Sequence, residues 1–151
     1  MARKRLAWVE SDTWSLTLEP LIEPHFDVVR YHTAVVGIEG CIENPYDLIL
    51  VDIPLLICDT GQQEHPLVAR FKEYKGVTPG EGDITKYFLE QVSADGSANK
   101  ETPILVACSS RPDQFGLTVD EFVEAGANGF LDLSADVDIV QQTMLQYARQ
   151  P

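Results

Sequence analysis

The feature that most limits what this chain can fold into is a series of short apolar runs, nearly all continuous rather than alternating. Four stand out, at residues 6–9, 26–29 (interrupted only by Asp27), 48–51 and 104–107, and a fainter one lies at 129–131. A strand with one wet face reads with period two. A continuous run of four or five apolar residues reads instead as a strand buried on both faces, as in a parallel sheet covered by helices. Between the runs lie segments with helical spacing: Val35, Ile38 and Ile42; Val119, Phe122 and Val123; Val137, Val140, Met144 and Tyr147. Strand and helix therefore alternate along the chain, the pattern of an α/β fold. At 151 residues, 44% of them apolar, the chain fits one domain, residues 1–151, with a core of ordinary size.

Local signals agree with this parse. Thr118 followed by Glu121 has the pattern of a capping box, and Gly126 falls where the helix it starts should stop. Ser134 or Asp136 is placed to cap the last helix. Pro20 interrupts the Trp14, Leu18, Leu21 and Ile22 stripe, which predicts a short, kinked or restarted first helix. About fifty residues separate Asp52 from Pro103, roughly twice what one helical crossover needs. The third crossover must hold extra structure. Leu67, Phe71 and Tyr74 form one stripe within it; Ile84, Phe88, Leu89 and Val92 form another, beginning after Asp83 as N-cap, with turn-rich sequence at 78–82 and 94–100. These place an insertion at about 56–100.

Charge narrows the function. Eleven Lys and Arg stand against 24 Asp and Glu, a net charge of −13, and three of the bases (Arg3, Lys4, Arg5) crowd the N-terminus. Nucleic acid and anionic membrane reward a basic surface, so neither is an expected partner. No apolar run has the length of a membrane span, and the first 20 residues do not read as a signal peptide. Cys41, Cys58 and Cys108 are odd in number and far apart, which gives neither a disulfide framework nor a zinc site; a reducing cytosol is the expected setting. His25, His32 and His65 lack ligand spacing, and Asp59-Thr60-Gly61 has no second copy of the kind an aspartic protease needs.

In an open parallel sheet, working groups gather beyond the C-terminal strand ends. Those ends carry Glu10, Ser11 and Asp12; Asp52; Cys108, Ser109 and Ser110; and Asp132, Leu133 and Ser134. No glycine-rich turn follows the first run, and carboxylates stand where a phosphate would sit, so nucleotide and flavin sites are disfavoured by geometry and by charge.

Four pieces in register resemble the receiver domain of two-component response regulators: Val9-Glu10-Ser11; residues 46–52 (YDLILVD); residues 102–109 (TPILVACS); and residues 124–131 (EAGANGFL). The resemblance covers nearly the whole chain outside residues 56–100. It implies a flavodoxin-like (CheY-like) three-layer sandwich with a five-stranded parallel sheet of order 2-1-3-4-5 and an enlarged third crossover. It also implies an aspartate that accepts a phosphoryl group from the histidine of a sensor kinase, with Mg²⁺ held by acidic neighbours. Asp52 matches the acceptor and Glu10 the first acidic metal position; the carbonyl of Pro54 would complete the protein ligands, and Asp12 would stand in for a second acid. Clustered carboxylates suit that chemistry, because a hard cation held through oxygen neutralises both them and an incoming phosphate.

The departures from the family pattern are specific. Ser11 stands at the second acidic position. Cys108, with Ser109 next to it, stands where a hydroxyl contacts the phosphate. Leu133 replaces the lysine that pairs with acceptor and phosphate, and Ser134 the proline after it; Phe130, at the place of the rotating aromatic, is unremarkable and reads equally as core. Two readings follow. One is an atypical receiver phosphorylated on Asp52. The other is a phosphorylation-independent pseudo-receiver that signals by binding other proteins. An enzyme is not expected, since no nucleophile, base and orienting group converge.

Overall fold

A computed structural model describes residues 3–11, 20, 22–75, 81–108 and 112–148. Strands β1 (Lys4–Val9), β2 (Phe26–Tyr31), β3 (Leu48–Asp52), β4 (Ile104–Cys108) and β5 (Gly129–Asp132) contain all five apolar runs. They form one sheet of order β2-β1-β3-β4-β5 in which every pairing is parallel, the order the resemblance implied. Every residue of β3 and β4 is buried, while β2 and β5 lie at the edges and are partly exposed. The continuous runs are therefore the signature of strands covered on both faces.

Side chains alternate across the sheet and build two cores. Ala7, Val9, Ile49, Val51, Ile104 and Val106 face helices α1 (Ala34–Glu43), α2 (Pro66–Lys75), α3 (Glu81–Val92) and α4 (Val119–Ala125). Leu6, Trp8, Leu48, Leu50, Leu105 and Ala107 face α5 (Val137–Tyr147) through Val140 and Met144. The expected first helix falls on residues 12–19 and 21, outside those described.

Two contacts bring α1 to the C-terminal ends of the strands. Thr33 caps it, its Oγ1 accepting from the Val36 N–H at 3.4 Å, and the next two orphan amides, Ala34 and Val35, donate to the carbonyls of Leu56 and Ile57 in the loop after β3. Gly37 lets the helix lie close: a Cβ there would meet Val9 Cγ1 at 2.9 Å and the Phe88 ring at 3.2 Å.

The third crossover holds a single turn at Thr60–Gln62 and then α2 and α3. Leu67 and Phe71 of the α2 stripe are buried, and Phe71 packs on Tyr87 of α3 with ring centroids 5.2 Å apart. His65 starts α2, its Nδ1 accepting from the Leu67 N–H at 3.0 Å while Nε2 meets Glu39 of α1 at 3.1 Å. Asp83 is not the N-cap of α3. The helix runs over Glu81–Val92, and its first turn lies close to Phe115, whose carbonyl would be 2.9 Å from a Cβ on Gly82. Asp83 instead stands in the first turn, where the helix dipole favours an acid.

Beyond α3 the chain returns to β4 through a buried polar knot. Asn99, fully buried, donates through Nδ2 to the carbonyls of Cys41 and Asn44, and its Oδ1 accepts from the Tyr46 N–H at 2.8 Å and from Thr102 Oγ1 at 2.9 Å. Thr118 caps α4 as expected, accepting from the Glu121 N–H at 3.2 Å. Gly126 ends that helix at φ 130°, a left-handed conformation that favours glycine, and Ser93 leaves no room there for a side chain. Of the two cap candidates for α5, Asp136 holds the position, without a side-chain cap bond. None of the three cysteines is in a disulfide, and burial pushes the Cys41 thiol up to about 12.

Candidate functional site at the strand ends

Strand β1 lies between β2 and β3, with Trp8 opposite Leu50 and Val9 opposite Val51. Continued one step, that register puts Glu10 and Asp52 at the C-terminal ends of neighbouring strands, on the same rim of the sheet.

Each acid is engaged from within the chain. Glu10 is fully buried, its N–H donates to the Tyr31 carbonyl at 2.9 Å, and its carboxylate receives Arg30 Nη2 at 2.6 Å. Arg30 stands on β2 opposite Trp8, its side chain 18% exposed. A buried carboxylate persists only when it is paired and hydrogen-bonded, and this guanidinium supplies both charge and donor. Asp52 is 6% exposed and accepts from the indole Nε1 of Trp8 at 3.1 Å. Its carbonyl accepts from Thr85 Oγ1 of α3 at 2.8 Å, and the following Ile53 N–H donates to Ala107 of β4 at 3.1 Å. The backbone around the candidate acceptor is thus clamped by a helix and a strand.

Ser11, at the second acidic position, has a structural task. Its hydroxyl donates to the His32 carbonyl at 3.0 Å and accepts from the Leu56 N–H at 2.7 Å, bracketing the loops after β2 and β3. Pro54 follows a cis peptide bond, is exposed, and lines an open depression with Ser11, Leu55 and Leu56.

On the other side of β3, Cys108 ends β4 opposite Asp132, is 3% exposed, and its carbonyl accepts from the Leu133 N–H at 2.9 Å. Leu133 is 8% exposed and belongs to the buried cluster that contains Trp8 and Leu50. Phe130 packs edge-on against Phe122, centroids 6.2 Å apart. Asp12 and Ser109 lie outside the described residues.

Exposed Asp132 accepts from the Ser134 N–H at 2.9 Å and from the Ser134 hydroxyl, which holds its carboxyl below the usual value of 3.8. A depressed folded-state pKa stabilises the fold above the unfolded value, and that contribution is lost as pH falls through the folded one. Ser134→Ala should therefore raise the Asp132 titration midpoint, read by NMR, and weaken the acid limb of the stability curve.

Among the described residues, which do not include Asp12, no three His, Cys, Asp or Glu side chains converge on a point. Glu10 is committed to Arg30, and Ser11 is committed to two loops. Sequence reasoning missed Arg30 and Trp8: one reads as part of an edge strand, the other as core. A charged Arg30 near the C-terminal end of a largely apolar strand, next to the strand that leads into Glu10, was the available signal for it.

No family model matches the sequence, and neither does any curated protein. Solved structures do match. The chemotaxis response regulator CheY4 of Vibrio cholerae superposes with a TM-score of 0.68 at 13% identity, covering 97% of this chain and 99% of that one. The fold is that of a response-regulator receiver domain. The receiver domain of sensor histidine kinase PA1611 from Pseudomonas aeruginosa PAO1, whose cleft coordinates a magnesium ion, gives 0.64 at 14% identity over 97% and 98% of the two chains. A CheY-like receiver domain from Methanospirillum hungatei JF-1 gives 0.61 at 18% over 96% and 93%. The receiver fold here thus carries Asp52 at the end of β3 and Glu10 at the end of β1, with Arg30 and Leu133 filling the surroundings.

Proposed function

We propose that this protein is a receiver-fold module of two-component signalling that works by binding other proteins, without phosphorylation of Asp52. The observation that carries the reading is the burial of Leu133 in the core cluster that holds Trp8. A phosphorylated aspartate carries about two negative charges at the rim in place of the carboxylate's one, and they need a cation or a charge-assisted donor to be stable. Leu133 offers an apolar side chain, and Trp8 already gives its one indole N–H to the unmodified Asp52. The rim is built around the plain carboxylate.

In this reading residues 1–151 act as one domain in the cytoplasm, the segment at 56–100 is an insertion, and the partner is a sensor kinase or another signalling protein. The domain catalyses no reaction of its own. Among the described residues no helix is long and apolar enough to cross a membrane. The second reading, a phosphorylatable receiver, is favoured by the meeting of Glu10 and Asp52 on one rim.

Acetyl phosphate or beryllofluoride with Mg²⁺ separates the two. The expected result is an unchanged intact mass and unchanged tryptophan emission, for which Trp8 is a reporter in contact with Asp52. An adduct that disappears in Asp52→Asn overturns the proposal.

A further inference from the structure

We infer that Arg30 is a built-in cation of the rim, which takes up the charge of Glu10 and keeps a divalent ion out. The inference deepens the phosphorylation-independent reading of the site and rests on it.

Three strands place the groups together. Trp8 of β1 lies opposite Arg30 of β2 on one side and Leu50 of β3 on the other, so Arg30 and Asp52 flank the end of β1, where Glu10 stands. The guanidinium reaches Glu10 at 2.6 Å, with the carboxylate fully buried and the base mostly so. A guanidinium is charged at every accessible pH and is tethered to the sheet, so it competes with a dissolved ion at a fixed, high local concentration. A divalent ion would have to take an oxygen of Glu10 away from Arg30 and then sit beside a positive charge. Repulsion between the two cations at this separation is worth at least about tenfold in affinity. The contrast with PA1611, whose receiver domain coordinates magnesium in its cleft, is that here the chain supplies the positive charge itself.

The test is a Mn²⁺ titration of the full chain by electron paramagnetic resonance, with Mg²⁺ as competitor. Wild type should show no saturable submillimolar site. Arg30→Gln should gain one, bound at least about tenfold more tightly; Arg30→Lys, which keeps the charge, should not; and Glu10→Gln added to Arg30→Gln should abolish the gain. Mg²⁺ should also raise the unfolding midpoint of Arg30→Gln but not of wild type. If Arg30→Gln is unfolded alone, recovery of native circular dichroism in millimolar Mg²⁺ is the same gain, and no recovery overturns the inference. A folded Arg30→Gln that binds no better than wild type also overturns it, yet leaves the phosphorylation-independent reading standing. A wild type that binds at Glu10 and Asp52 as tightly as the variant overturns both.

Discussion

Asn99→Ala is expected to remove on the order of 3–5 kcal/mol of stability, enough to leave a domain of this size marginal or unfolded at physiological temperature. The amide satisfies the carbonyls of Cys41 and Asn44, the N–H of Tyr46 and the hydroxyl of Thr102, all around a side chain with no exposure. Each buried group left without a partner costs about 1–3 kcal/mol, and alanine leaves several. Asn99→Asp is a sharper variant, because it keeps the shape and the acceptor but loses both donors and buries a charge facing two carbonyls. Urea unfolding followed by circular dichroism measures both. An Asn99→Ala midpoint within experimental error of wild type would mean that water replaces the knot.

Trp8→Ala should cost about 3–5 kcal/mol, the range for deleting a large buried aromatic. Trp8 is 1% exposed in the cluster beneath α5 and also carries the donor to Asp52. Trp8→Phe divides the effect: it keeps a ring in the core and removes the indole N–H, so its cost should fall well below that of alanine while still exceeding what lost volume explains. Asp52→Ala in the Trp8→Phe background completes a double-mutant cycle, and a coupling energy near zero would show that the indole bond contributes little.

The sheet was legible in the sequence because its central strands are covered on both faces, so that Leu48, Ile49, Leu50 and Val51 all had to be apolar. The placing of Glu10 and Asp52 on one rim was legible for a related reason: both follow the C-terminal ends of strands that run parallel side by side. The α2 stripe of Leu67 and Phe71 showed in the helical period. What remained hidden depends on partners across strands. Arg30 gains its role only from Glu10 on the next strand, and Ser11 only from loops brought to it by β2 and β3. Asp83 misled for the same reason. Its residue type suits a cap, but the helix already includes Glu81 and Gly82, where Gly82 lies against Phe115.

The bracket made by Ser11 limits which side chains the rim can carry at this position. Its one oxygen joins the His32 carbonyl to the Leu56 amide, and the adjoining Leu56 and Ile57 carbonyls hold the start of α1. An aspartate at this position could still accept from Leu56, but it would turn a second negative oxygen toward the His32 carbonyl. A carboxylate here would therefore cost the bridge between the two loops, and the hydroxyl, donor and acceptor in one atom, is what lets a single side chain hold both.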